Sequence, residues 1–529
     1  MDADIVIVGG GPVGTGLAID LALHGLSVVI VERREQIQRI PKGQNLTPRT
    51  GEHFRRWGVT DAIRAASPIP RSYGSGGIAT YGTFLSDYHH EWFNRAKIVD
   101  YYAATNERLP QYETEAVLRA RARNFANITL LTGCSFDSLR QGHSGVEVNI
   151  ICSEGAETRT LSASYVVGCD GARSPVREAA GITQDIDPHD RQMALLVFNS
   201  KELDEKLAIY GDKTIYNAMG PEMNGYWQFL GRVDLQGNWF FHAPVPKGTT
   251  IDNFDFRALL NRAVGAEVDV DFSYVGFWDL RLSLADRYAN GRVFIAGDAA
   301  HSHPPYGGYG INTGFEDARN LAWKIAACKA GWGGGALLDS YGEERHPVFA
   351  STRDDFILRS ILDDRDFVSR HDPARDRQDF EAAWDARING GDGMVTQYLP
   401  HYEGSPIVDG VPGALSGATG AHGYKAAAGH HLAPAKLSDG SCIYDHLGAS
   451  MTVILTGSAG HEAGKWRRAS DITGIPLAVI TQPPTEQTQR WQAEAILLRP
   501  DHYVAAVGGH TLGDRAADLL RLAAGHRTV

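Results

Sequence analysis

Apolar residues follow two rhythms along this chain. Residues 4–8 and 27–31 are short, nearly unbroken apolar runs, the pattern of strands buried on both faces. Between them Val13, Leu17 and Leu21 recur at helical intervals, and Gly25 stands just past the expected helix end. The opening therefore predicts a parallel βαβ unit of about thirty residues. Further on, 116–123 predicts a helix, 128–131 and 146–150 predict strands, and 165–168 is another buried-strand run that enters Cys169-Asp170-Gly171. From about 191 to 275 the text turns strand-rich and aromatic (Tyr210, Tyr216, Tyr226, Trp227, Trp239, Phe240, Phe241), which predicts an inserted sheet. The buried-strand style returns at 292–296, followed by a Gly/Pro loop and a helix from about 312 to 330. Residues 365–385 read as charged and helical, 404–420 as a linker, and 451–455 and 476–480 as strands of a last unit.

Length and composition narrow the class. At 529 residues the chain is too long for one core, and two or three domains are expected. The 51 Lys plus Arg against 63 Asp plus Glu give a net charge of -12, which disfavours nucleic acid as a partner. Cys134, Cys152, Cys169, Cys328 and Cys442 are odd in number, scattered and without a CxxC pair. No disulfide framework or zinc site is expected from them, and a reducing cytoplasm fits. The N-terminal run lacks a basic n-region, a separate apolar h-region and a cleavage signal, so no leader is expected. Its apolar stretch 5–31 is broken by Gly9-Gly10-Gly11-Pro12 and carries Asp20 and His24, unlike a membrane span.

Gly9-x-Gly11-x-x-Gly14 lies where a dinucleotide fingerprint must lie, after a strand and at a helix start. The glycines permit the tight turn, let backbone approach a pyrophosphate, and let helix and strand pack closely. The helix N-terminus offers amide donors to phosphate. Glu32, at the end of the second strand, is placed to accept ribose hydroxyls. This pattern alone leaves FAD and NAD open.

Two later motifs separate them. Asp170-Gly171-Ala172-Arg173-Ser174-Pro175-Val176-Arg177 resembles the DGxxSxVR motif of the flavoprotein aromatic hydroxylases, the family of para-hydroxybenzoate hydroxylase and phenol hydroxylase. Gly297-Asp298-Ala299-Ala300-His301 resembles that family's second FAD motif, and residues 304–314 look like its flavin loop. The similarity runs over about residues 1–360. It implies an α/β fold: a Rossmann-like FAD-binding domain, an inserted mixed β-sheet substrate domain and a C-terminal thioredoxin-like α/β domain. The expected division is 1–75, 101–185 and 279–400 (with a helical segment) for FAD, and 76–100 and 186–278 for substrate. A linker follows at 401–425, and 426–529 forms the thioredoxin-like unit. That last likeness rests on residues 427–434, Asp439-Gly440, Tyr444-Asp445 and 499–504. Only Cys442 is present in it, so a structural role, with dimerisation as one option, replaces a dithiol one.

The resemblance assigns non-covalent FAD to Gly9, Gly11, Pro12, Val13, Gly14, Glu32, Arg33, Gln44, Gln111, Asp170, Gly171, Gly297, Asp298, Pro305, Gly308, Gly310, Ile311 and Asn312. The helix after the flavin loop would aim its N-terminus at N1–C2=O, where reduced flavin is negative. Ile311 stands where the family usually has Met, a volume-conserving change. Gln44 occupies a segment that in relatives often carries Arg or His, and it cannot act as a base. His301-x-His303 reads as flavin-loop histidines and not as a metal site.

The implied reaction is hydroxylation of a phenolic or other electron-rich aromatic. NADH or NADPH reduces FAD transiently, and molecular oxygen gives a C4a-hydroperoxide in a site that excludes water. His242, Tyr216, Tyr226 and Pro305 are the candidate catalytic or substrate-facing residues, although aromatic strand residues are commonly core. The alternatives are an FAD-dependent dehydrogenase or reductase without oxygen transfer, and a non-catalytic flavin-binding protein. A small aromatic substrate is the expected partner, without nucleic acid or membrane, and a homodimer is compatible with the sequence.

Overall fold

The computed structural model describes the chain except residues 75, 153–156, 392 and 527–529, with only the backbone described at 188–190 and 280. The fully apolar runs pair side by side, as strands covered on both faces must. Ala3–Val8 lies between Val28–Glu32 and Glu157–Gly168, all parallel, and Ile128–Thr132 and Val293–Ile295 extend the sheet on either side. The register sets Val8 beside both Val31 and Gly168, so the strands end together at one edge. Ligands bind at that carboxyl edge in open parallel sheets. The helices Pro12–Leu23 and Tyr309–Lys329 lie side by side, and Leu17, Leu21, Ala318, Leu321 and Ile325 join the strands in one core.

The aromatic segment forms a second, eight-stranded sheet. Its long strands Gln184–Asn199 and Asp271–Ala285 pair antiparallel, and Asn238–Pro246, Gln228–Arg232 and Ile215–Met219 follow in order. Gly77–Tyr81 and His89–Trp92 complete the far edge, which places that early segment with the inserted sheet. One face packs on the helices Lys201–Leu207 and Phe256–Val264 around Trp239, Phe241 and Leu260. The other faces the first sheet.

The last unit is a four-stranded sheet, with Met451–Thr456 parallel to Leu477–Gln482 and antiparallel to Ala495–Leu498, which pairs with Val504–Gly508. It does not stand apart. Trp323, Ala327 and Leu337 of the first unit share a core with Met451, Trp466, Leu497 and Leu519. Around that core lies a buried ionic network. Trp323 Nε1 donates to Asp501 at 3.0 Å, Arg49 donates to the Asp501 carbonyl at 2.7 Å, Arg319 donates to the Pro500 carbonyl, and Arg499 pairs with Glu344 and Asp501. The 499–504 motif is thus a docking element.

One expectation fails. Cys134 and Cys152, 18 residues apart, stand directly opposite one another in the hairpin Cys134–Gln141/Val146–Cys152 and are joined as a disulfide. Spacing along the chain concealed a pairing that strand register creates. Cys169, Cys328 and Cys442 are free thiols. Among the described residues no helix is long and apolar enough to cross a membrane.

Candidate functional site

A cleft of about 1160 Å³ opens at the carboxyl edge of the parallel sheet and is roofed by the second sheet. Its floor is largely backbone. Gly9 has φ +108°, and a Cβ there would lie 2.2 Å from the Cys169 carbonyl oxygen. A Cβ on Gly14 would lie 2.0 Å from the Gly9 oxygen, so only glycine lets the helix start come this close. Glu32 accepts from Gly10 N at 2.8 Å and from Arg34 N at 2.9 Å. Arg119 donates to the Gly10 carbonyl at 3.0 Å and pairs with Glu115 at 2.7 Å, which fixes the turn from the Gln111–Arg123 helix.

The second motif is tied to the third. Ser174 caps the Pro175–Ala179 helix, Asp170 accepts from Val176 N at 3.1 Å, and Arg177 donates to the Ala299 carbonyl at 2.9 Å. Asp170 Oδ1, facing this corner, is buried without a protein partner among the described residues. Asp298 is exposed to the cleft, while its neighbour Gly297 is held from below. Gly297 N and His301 Nε2 both donate to Asp317, at 2.9 and 2.7 Å, and Arg345 Nε donates to its other oxygen at 2.7 Å. Burial opposes charge on Asp317, but His301 and Arg345 outweigh it and hold the carboxyl below its usual range.

The flavin-type loop ends at Gly308, φ +64°, which caps the Tyr309–Lys329 helix. That helix therefore opens onto the cleft beside Gly310 and Ile311. Asn312 locks it in place: its oxygen accepts from Thr47 N at 2.9 Å and Thr50 Oγ1 at 2.6 Å, and its nitrogen donates to the Asn45 and Gly308 carbonyls. Of the cofactor residues expected from sequence, all but Gly14, Gly297 and Asn312 border the cleft, and those three act from behind it. A glycine cradle at one end, a helix N-terminus at the other and Asp170 Oδ1 left without a partner fit an extended dinucleotide such as FAD. Asp317, Arg345 and Arg119 escaped sequence reading because their roles depend on contacts far along the chain.

The roof is made of side chains. Strand alternation in Asn238–Pro246 sends Phe240 and His242 to the cleft and Trp239 and Phe241 to the core. His242 is ringed by Phe240, Trp278 and Phe229, with centroids at 5.5, 6.0 and 6.5 Å. Neither of its nitrogens has a protein partner among the described residues, and burial pulls its pKa down to about 4. It is a neutral imidazole at pH 7. Pro305 also borders the cleft.

Tyr216 and Tyr226 do not. Tyr216 points to the far face of its sheet, packs by Trp239 and Tyr210, and donates to the Lys213 carbonyl at 3.0 Å. Burial pushes it up to about 12. Tyr226 is buried with Trp227, Tyr306 and Met193 outside the cleft. Strand register turns Tyr216 to the far side of its sheet, and Tyr226 lies in the turn before Gln228–Arg232, packed away from the cleft. Gln44 and Gln111 do border the cleft, with Gln44 accepting from Arg108 at 3.2 Å. His301 and His303 are engaged by Asp317 and the Pro304 carbonyl. Among the described residues, the side chains placed together as a metal's ligands could be are His401, Glu403 and His430, where the linker meets the last unit.

Comparison with known proteins agrees with this geometry. A putative polyketide hydroxylase of Streptomyces halstedii is 34% identical over 361 residues, covering 66% of this chain and 63% of that protein. A counterpart from Streptomyces coelicolor is also 34% identical, and the chain spans only 57% of its length. A 4-methyl-5-nitrocatechol 5-monooxygenase of a Burkholderia species is 29% identical over 531 residues, 96% of this chain and 94% of the relative. Among solved structures, the rebeccamycin biosynthetic enzyme RebC with reduced flavin superposes with TM-score 0.84 at 28% identity over 99% of both chains. The flavin-dependent monooxygenase PieE in complex with FAD and substrate gives 0.82 at 25% identity, over 99% of this chain and 98% of that one. The family model described as FAD binding domain matches residues 2–355, and this chain, whose glycine turn, Asp170 corner and Gly308-capped helix share one cleft, belongs to that FAD-binding family.

Proposed function

We propose that the protein is an NAD(P)H-dependent flavoprotein monooxygenase that hydroxylates a phenolic or other electron-rich aromatic substrate. The observation that carries this is the single cleft with two unlike walls: a backbone floor shaped for FAD, and directly across it a buried aromatic roof with a neutral histidine. Bound FAD supplies the reduction and oxygen-activating chemistry. The chain's own residues do the rest. The Tyr309–Lys329 helix opens its positive end onto the cleft, where it would favour the negative charge of a reduced flavin. Phe229, Phe240, Trp278 and Trp92 offer ring faces to a planar substrate and keep water out. His242 can hydrogen-bond a substrate hydroxyl and turn the ring, while Gln44 accepts no proton.

Relatives named for a nitrocatechol and for polyketides support a phenolic substrate, from one ring to several. In this reading residues 1–75, 101–185 and 279–400 hold the flavin, 76–100 and 186–278 cover the substrate, and 426–529, after a 401–425 linker, brace the first unit. The protein works without a nucleic-acid partner, as its net charge of -12 favours, and a homodimer is compatible with the sequence. The test is oxygen isotope labelling. NAD(P)H and oxygen should be consumed together on adding an aromatic substrate, and labelled oxygen gas should place one labelled atom in the product. Label arriving from water, or no oxygen gained, returns the protein to the dehydrogenase reading.

A further inference from the structure

Buried guanidinium groups in this chain generally meet carboxylates: Arg49 meets Glu52 and Glu316, Arg319 meets Asp20, Arg345 meets Asp317, and Arg499 meets Glu344. Arg108 and Arg177 depart from this, and whereas Arg177 is held by the Ala172 and Ala299 carbonyls away from the cleft, Arg108 borders it. It is 7% exposed, and no carboxylate lies within ion-pair distance of it among the described residues. Its contacts are neutral acceptors only: Asn45 Oδ1 at 3.0 Å, Gln44 Oε1 at 3.2 Å and the Thr214 carbonyl at 3.1 Å. These use three of the five donors of a guanidinium, and Nε is buried with none. Burial pulls its pKa down to about 9, which records how poorly the charge is compensated.

Position gives this charge a purpose. Arg108 sits on the short Glu107–Arg108 strand, which pairs with Asn45–Leu46, so its fork is held between the flavin-loop side and the substrate sheet. With Trp92 it forms the wall between the flavin cleft and a second cavity of about 530 Å³. Of the acids bordering that second cavity, Glu91 is engaged by Lys213 at 2.7 Å and Glu107 by Arg64 at 2.9 Å, and Asp212 stands exposed to solvent without an ion pair to Arg108 among the described residues. A buried charge is costly unless paired, so an unpaired one beside a ligand cleft favours a ligand of opposite charge.

We infer that Arg108 is the counter-charge for an anionic group on the substrate, an ionised phenol or a carboxylate on the aromatic ring. This rests on reading the cleft as an aromatic-substrate site, and it narrows that site to acidic aromatics. Glutamine and asparagine hold the fork without neutralising it, so its charge remains available. Arginine suits this better than lysine because it stays charged at a buried site.

The test is equilibrium binding to the FAD-loaded protein, without turnover, followed by flavin absorbance and calorimetry at pH 8. Two matched pairs serve as probes: 4-nitrocatechol, ionised at that pH, against 4-methylcatechol, and 1-hydroxy-2-naphthoate against 1-naphthol. In the wild type the anionic member of at least one pair should bind tenfold or more tightly than its neutral partner. Arg108→Met should remove that preference while FAD content and melting temperature hold, and Arg108→Lys should keep part of it. Equal or weaker binding of the anions in the wild type, including no binding of either, overturns the inference, and this result needs no variant. It is also overturned if Arg108→Met keeps the preference, or if it loses FAD and not selectivity, since the charge would then serve the cofactor. A bound anion that gains no oxygen on turnover would sink the hydroxylase reading and leave the anion site standing.

Discussion

Along the floor of the cleft most polar side chains are already bonded to protein. Glu32 bridges Gly10 and Arg34, Asp317 gathers Gly297, His301 and Arg345, and Asn312 has four partners. Across the gap, among the described residues, His242 has none and Arg108 has no counter-charge. A floor of this kind is rigid before the cofactor arrives and needs only to receive it. The roof is left incomplete in its polar contacts, which a bound substrate would complete. Substitutions on the two walls should therefore separate cofactor retention from substrate affinity.

The largest effect should come from below the floor. Asp317→Ala strands the buried Arg345 guanidinium and frees Gly297, so unfolding in urea should show a loss of about 3–5 kcal/mol, and the purified protein should hold little flavin. If flavin content is normal, the floor is not set by this carboxylate.

Acid should act next, through the roof. The pKa of His242 is about 4 folded against 6.5 for the free side chain. Between those values the unfolded chain binds the extra proton, so stability is full above about pH 6.5 and falls as pH drops toward 4. Its share is at most about 3 kcal/mol. His24 and His303, also near 4, add in the same direction. His242→Phe should flatten this slope measurably in pH-dependent melts. The same variant should be as stable as wild type at neutral pH or more so, within about 1 kcal/mol, because it removes an unsatisfied polar group. It should also keep FAD and bind substrate more weakly. A stability loss beyond that would make His242 a structural residue.

Substitutions at the residues proposed to meet the cofactor come next in size. Glu32→Ala should weaken FAD by roughly 1–3 kcal/mol in a fluorescence titration, and Asp298→Ala should act similarly, with substrate affinity of the reconstituted protein unchanged. Smallest of all is Cys442→Ser, which touches neither wall. Turnover should stay within about twofold, a barrier change of roughly 0.4 kcal/mol, and a larger defect with folding intact would reveal a thiol role.

The two walls also differ in how far they could be read from the chain. The floor is written locally: strand, three glycines, helix and Glu32 follow one another, and the Asp170 and Gly297 segments are each contiguous. The roof is decided by parity. His242 and Tyr216 both lie on aromatic strands, and sheet register, a long-range property, aims the first at the cleft and the second into the core. Arg108 carries no motif at all; what marks it is that no acid pairs with it among the described residues, since even its neighbour Glu107 is turned to Arg64, and only three dimensions show that. The Cys134–Cys152 pairing was hidden in the same way.

The shared core at Trp323 bears on how the protein is made. Trp323 and Glu344 are synthesised long before the 451–524 segment that covers them. At roughly 5–20 residues per second a ribosome needs about 10–40 s to cross that distance. For that interval the flavin half carries an exposed tryptophan face and a carboxylate still awaiting Arg499. The nascent chain should therefore stay open to proteases until residue 499 and the strands around it emerge, and ribosomes stalled before residue 499 should display a protease-sensitive flavin half that release of the full chain protects.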